Sequence, residues 1–213
     1  MDVTFKPPAF YPILDTAVLA GRGWAIRDAA EALLEAGVRI LQYRHKEKWT
    51  QAEYDEAAEI KSLCDTAGVL FVLNDHADYA QLLGTALHVG QDDLPPVAAR
   101  RVTPDNVMGF STHNRQQLVR GDEEPVQYLS LGPIFATESK LKPDPVIGIE
   151  RLRALRPLTK KPLVAIGGIK LETASDVLAA RADSVAIIAG ILPDSPKRAA
   201  LKKRATEWLK ATA

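Results

Sequence analysis

The chain has 213 residues, with 27 Lys and Arg against 27 Asp and Glu and a formal net charge of +0. That balance leaves no basic footprint for nucleic acid and no polybasic anchor for a membrane. A composition of 46% hydrophobic and 25% charged residues excludes a disordered chain, and single cores reach about 250 residues, so one domain suffices.

The start is polar and proline-containing, without the basic-then-apolar pattern of a secretory leader. The first strand is predicted at 11–14. It runs into Asp15-Thr16-Ala17-Val18, not into the glycine-rich turn of an open doubly wound sheet. A helix at 25–36 gathers Ile26, Ala29, Ala30, Leu33 and Leu34 on one face and stops at Gly37. Strand 39–43 precedes a helix at 51–67, which opens after Thr50 and stops at Gly68. That helix carries Cys64, the one cysteine, which reads as a buried structural thiol in a reducing, cytoplasmic compartment. Strand 70–73 pairs with helix 77–83, strand 87–89 with helix 95–101, and strand 107–110 with helix 115–120. After strand 128–131 a long loop, 132–148, delays the helix at 149–155. Strand 163–166 leads to helix 173–180, and strand 184–188 to a final helix at 196–209 with a basic, solvated face.

The strands are short, rich in Val, Ile, Leu and aromatic residues, and lack a polar face. Strands buried on both sides of a parallel sheet read this way. Eight strand–helix units of about 27 residues each predict a single-domain (β/α)8 TIM barrel over 1–213. No window approaches the roughly 18 apolar residues of a membrane span.

In such a barrel the chemistry lies at the C-terminal ends of the strands. There the sequence places Gln42, Arg44 and Lys46; Asn74, Asp75 and His76; Gln91, Asp92 and Asp93; Ser111, Thr112 and His113; the loop 132–140; Gly167-Gly168; and Ala189-Gly190. Small residues after the seventh and eighth strands let a phosphate approach backbone N–H groups at helix starts. Arg44, Lys46 and Lys140 bring cations to the rim, and Asp75 and Asp93 bring carboxylates. Mg²⁺ is commonly shared between one or two carboxylates and substrate phosphates, so this set fits a Mg–diphosphate substrate. Rim salt bridges would use the same residues. The scattered histidines give no zinc spacing. His88, inside an apolar strand, reads as a hydrogen-bonded core residue, and strand alternation turns His45 away from Arg44 and Lys46.

Six segments in order then resemble one family. They are Gln42-Tyr43-Arg44-His45-Lys46, Asn74-Asp75, His88-Val89-Gly90-Gln91-Asp92-Asp93-Leu94-Pro95, Gly109-Phe110-Ser111-Thr112-His113, Gly132-Pro133-Ile134-Phe135-Ala136-Thr137-Glu138-Ser139-Lys140 and Ile166-Gly167-Gly168-Ile169. The chain resembles the thiamine-phosphate synthase family. The resemblance implies that 4-amino-2-methyl-5-hydroxymethylpyrimidine diphosphate is joined to a thiazole phosphate, with or without a carboxylate, releasing diphosphate. It implies Mg²⁺ on Asp75 and Asp93. It implies the pyrimidine diphosphate on Gln42, Arg44, Lys46, Asn74, Ser111 and Lys140, with Arg44, Lys46 and Lys140 acting catalytically. Thr137, Ser139, Gly168 and the Ile188-Ala189 backbone would take the thiazole phosphate, and the loop 132–148 would be a lid. Ala189 stands where the family usually has Ser or Thr, and Ser139 replaces a common Thr.

Two readings compete. A thiazole tautomerase on the same barrel would use His113 as acid and base and would need no diphosphate cradle. A non-catalytic thiazole-phosphate binding protein would bind without turnover. The partners expected are small phosphorylated molecules, with no nucleic acid and no membrane; a homo-oligomer is compatible with the sequence.

Overall fold

A computed structural model describes residues 5–137 and 144–213. Its eight strands are β1 Phe10–Asp15, β2 Ile40–Arg44, β3 Leu70–Asn74, β4 Ala86–Val89, β5 Met108–Thr112, β6 Tyr128–Leu131, β7 Leu163–Ile166 and β8 Ser184–Ile187. Each pairs in parallel with the next, and β8 returns to β1, so the barrel is closed. Among the described residues nine helices surround it: α1 Thr16–Gly21, α2 Ile26–Ala36, α3 Gln51–Ala67, α4 Ala77–Leu83, α5 Pro96–Val102, α6 Arg115–Glu123, α7 Ile149–Leu155, α8 Ala174–Ala179 and α9 Arg198–Ala211. No helix among the described residues is long and apolar enough to cross a membrane.

The helix ends follow from local chemistry. Thr50 caps α3, its hydroxyl accepting from Ala52 N while Glu53 reaches back to Thr50 N. Asn114 caps α6 by accepting from Gln117 N. Gly37, Gly68 and Gly84 close α2, α3 and α4 in the left-handed conformation. The basic face of α9 is held by acids of α2, since Arg198 bridges Glu31 and Glu35 and Lys202 also reaches Glu35.

Side chains fill two layers. Leu33, Ile60, Cys64, Leu118, Leu152 and Trp208 belong to the larger one, between barrel and helices. Burial pushes the Cys64 thiol up to about 12, which leaves it a protonated packing group. The smaller layer is the barrel interior, where Tyr11, Ile40, Val72, Ala86, Tyr128, Val164 and Ala186 meet. Phe5 covers this cluster, its ring 5.5 Å from that of Tyr128.

Two features differ from the sequence expectation. Helix α1 lies in a stretch to which the sequence assigned no element, because Asp15 is both the last residue of β1 and the cap that accepts from Val18 N at 3.0 Å. Several strands also run further toward the rim than their apolar cores: β1 includes Asp15, β2 Arg44, β3 Asn74 and β5 Ser111 and Thr112. The ladder places these polar ends opposite one another, with Asp15 facing Arg44, Asn74 facing His88, and Ser111 facing Ser130.

Candidate active site

Strand alternation aims every second side chain into the barrel. Above the apolar layer these are Gln42, Asn74, His88, Ser111 and Ser130, polar groups held in a largely buried cup. Gln42 is almost fully buried and donates to Tyr11 Oη at 2.8 Å. The Asn74 amide nitrogen is buried with no hydrogen-bond partner. A buried orphan donor costs roughly 1–3 kcal/mol, so this one is suited to an incoming acceptor.

The charged rim sits on this cup. Arg44 pairs with Asp15 across β1 and β2, both well shielded. Lys46, half exposed, pairs with Asp75. Asp75 adopts φ +70°, a left-handed conformation uncommon outside glycine, of a kind that concentrates at functional sites. Its N–H donates to the His88 carbonyl at 2.8 Å, which ties the end of β3 to β4. Asp93 turns back onto the same ground by accepting from Gly90 N at 2.7 Å. A side chain at Gly90 would crowd that carboxylate, with its Cβ 2.9 Å from Asp93 Oδ2.

Asp75 and Asp93 are hydrogen-bonding neighbours. Burial, reinforced by Asp93, raises Asp75 to about 7, against the pull of Lys46. Burial also pushes Asp93 upward, but hydrogen bonds from Asp75 and Gly90 N outweigh it and hold its carboxyl below the usual range. Two carboxylates this close share a proton. Among the described residues no cluster of three His, Cys, Asp or Glu side chains surrounds a metal position. The described residues thus offer two neighbouring carboxylates, the kind of pair on which a hard ion completes its shell with water and phosphate oxygens.

On the opposite side, Gly167 and Gly168 both have positive φ, +98° and +64°. Their bareness serves the packing of two loops. A Cβ on Gly167 would lie 2.6 Å from Pro133 Cα, and one on Gly168 only 2.3 Å from the Ala136 carbonyl oxygen. The stems of the loop after β6 are pinned by Ile134 N to Ile166 O, Phe135 N to Gly167 O and Gly148 N to Ile134 O, each 2.9 Å. Thr137 is the last described residue on the first stem; Ser139 and Lys140, and the middle of the expected lid, lie outside the described residues. Ile188 precedes a 3₁₀ turn, Ala189–Ile191. Arg22, which the sequence reading did not single out, reaches this turn and donates to the Ala189 carbonyl at 3.3 Å.

The histidines divide by environment. His88 lies inside the barrel, as read from the sequence, and burial lowers it to about 4, so it is neutral. His45 turns outward from its neighbours, with Nδ1 2.8 Å from Thr16 Oγ1. His113 Nδ1 lies 2.7 Å from the Gly132 carbonyl and 3.5 Å from Asp144, joining β5 to the stems of the β6 loop.

Residues 10–191 match the thiamine monophosphate synthase family. A thiamine-phosphate synthase of Koribacter versatilis is 50% identical over 198 residues, covering 91% of this chain and 93% of that protein. One from Caldicellulosiruptor saccharolyticus is 36% identical over 190 residues, covering 88% and 86%. Among solved structures, a thiamine phosphate pyrophosphorylase from Pyrococcus furiosus superposes with a TM-score of 0.81 at 26% identity, covering 95% of this chain and 94% of that one.

Proposed function

The chain belongs to the thiamine monophosphate synthase family, and we propose that its reaction, the synthesis of thiamine phosphate, runs in the polar cup and charged rim described above. The observation that carries this assignment is the adjacency of Asp75 and Asp93, with Lys46 on Asp75 and the orphan amide of Asn74 beside it. A diphosphate leaving group needs this combination; a tautomerase or a passive thiazole-phosphate binder has no use for it.

Asp75 and Asp93 would hold Mg²⁺, which when bound supplies positive charge to the departing diphosphate. Arg44 and Lys46 lie on the same rim, and in this reading they exchange part of their contact with Asp15 and Asp75 for phosphate oxygens. Lys140 joins them by its motif. Each donor aimed at growing negative charge in a dry site contributes about 2.7–4 kcal/mol. Gln42, Asn74 and Ser111 orient the pyrimidine, whose amino group delocalises, through the ring, the positive charge left on the exocyclic methylene carbon that carried the diphosphate. The route is dissociative and requires neither a strong base nor a covalent nucleophile. The thiazole phosphate, held by Thr137, Ser139, Gly168 and the Ile188-Ala189 backbone, presents its ring nitrogen to that carbon. Its placement supplies much of the remaining acceleration, and the buried cup keeps water from the cation.

Asp93→Ala tests the carboxylate assignment. Turnover at moderate Mg²⁺ should fall by at least about a hundredfold, with melting little changed because the site is at the rim. Near-native turnover would remove Asp93 from the metal site.

A further inference from the structure

Beneath the rim, five side chains form one continuous line. Gln42 Nε2 donates to Tyr11 Oη at 2.8 Å; Tyr11 Oη and Tyr128 Oη are 3.0 Å apart; Tyr128 Oη is 3.0 Å from His88 Nδ1; and His88 Nε2 is 2.9 Å from Ser111 Oγ. The first four are at most 8% exposed, so water does not compete for their protons. Room for the line is built in. A Cβ on Gly109 would stand 2.1 Å from the Tyr128 ring, so only glycine there lets the tyrosine cross the barrel.

Donor and acceptor capacity gives the line a direction. An amide nitrogen only donates, so Tyr11 Oη accepts from Gln42. The single Tyr11 proton then goes to Tyr128, and the Tyr128 proton goes to His88 Nδ1. Because Nδ1 accepts from Tyr128, the imidazole's own proton sits on Nε2 and is given to Ser111 Oγ. Ser130 Oγ also donates to Ser111 Oγ, at 3.3 Å. The Ser111 oxygen accepts twice from below, and its own proton is left for the cavity. The opposite polarity would require Gln42 to present its carbonyl oxygen to Tyr11 and would reverse every O–H in turn.

We propose that Tyr128 and His88 are positioning residues that hold Ser111 Oγ as a hydrogen-bond donor toward an acceptor atom of the pyrimidine diphosphate. The barrel core thereby sets the polarity of the substrate site. This rests on the assignment of Ser111 to that substrate, and it adds a residue, Tyr128, that the family motifs quoted above leave out.

The test compares Tyr128→Phe, Tyr11→Phe, Ser111→Ala and the double variant Ser111→Ala/Tyr128→Phe. It uses steady-state kinetics on the pyrimidine diphosphate and ¹⁵N NMR of the His88 ring. Both tyrosine variants lose one buried hydroxyl that makes two hydrogen bonds, so a purely structural role affects them alike. The directed line does not, because only Tyr128 touches His88: without the Tyr11 hydroxyl, Tyr128 can still donate to Nδ1 and Ser130 still donates to Ser111. Tyr128→Phe should lower kcat/KM by roughly tenfold, the worth of one hydrogen bond, and Tyr11→Phe by less than about threefold. Ser111→Ala should cost about a hundredfold, and adding Tyr128→Phe to it should cost nothing more. The native His88 ring should carry its proton on Nε2, and Tyr128→Phe should yield a tautomer mixture. Equal losses in the two tyrosine variants, multiplying losses in the double variant, or a native proton on Nδ1 would each overturn the proposal. Native kinetics in Ser111→Ala would instead withdraw Ser111 from the substrate site, and the proposal with it, leaving the family activity untouched.

Discussion

Asn74 shows in one side chain how this site trades stability for binding. Its amide nitrogen is buried at the end of β3 without a partner, which costs the empty protein roughly 1–3 kcal/mol. Asn74→Leu keeps the approximate shape and removes the orphan. The ligand-free variant should melt no lower than the native protein, while synthesis falls at least about tenfold. A lower melting temperature with native activity would contradict this. His88 makes a second prediction. Its ring titrates near 6.5 when unfolded and at about 4 in the barrel. Between those values the unfolded chain binds the proton and the native one does not, so stability rises with pH across that window. The gain is about 3 kcal/mol. Denaturant titrations from pH 7 down to 4 should show this loss on acidification, and His88→Gln should remove that part of the slope. An unchanged slope in the variant would place the titration elsewhere.

Among the elements, the loops after β6 and β7 act as one unit. Gly167 and Gly168 leave the space that Pro133 and Ala136 fill, and backbone hydrogen bonds stitch the two segments. Gly168→Ala introduces a Cβ 2.3 Å from a carbonyl oxygen at a φ of +64°. Both loops must then shift, and the thiazole-phosphate KM should rise at least about tenfold, with pyrimidine-diphosphate binding affected less. Equal effects on both substrates would place Gly168 away from the thiazole side. The sequence revealed the glycine pair but not this role, because close approach between loops distant in sequence leaves no local signature. Helix α1 was hidden for a different reason. Six residues are too few for a 3.6-residue apolar period to register, and only Asp15, capping Val18 N, marks its start. The polar strand ends were read as loop because apolar runs stop where the cup begins, yet Asp15, Arg44, Asn74 and Ser111 remain in the ladder.

For the whole molecule, periodic apolar runs made the order of all eight strands and the closed barrel legible, since each strand is buried on both faces. The location of Gln42, Arg44, Lys46, Asn74, Asp75, Asp93 and Ser111 at one end followed from strand ends alone. What could not be read was their pairing: Arg44 with Asp15, Lys46 with Asp75, and His88 with Tyr128 and Ser111. Such contacts depend on register around the barrel, which composition and motif spacing do not encode. The equal counts of acids and bases conceal a local arrangement in which partly buried carboxylates and cations meet on one rim. The most direct measurement of the whole account is thiamine phosphate formation from the pyrimidine diphosphate and the thiazole phosphate, with Mg²⁺ and after its chelation. The account predicts product with Mg²⁺ and loss of at least about a hundredfold of the rate without it, restored by adding the ion back. Equal product after chelation would contradict the role given to Asp75 and Asp93.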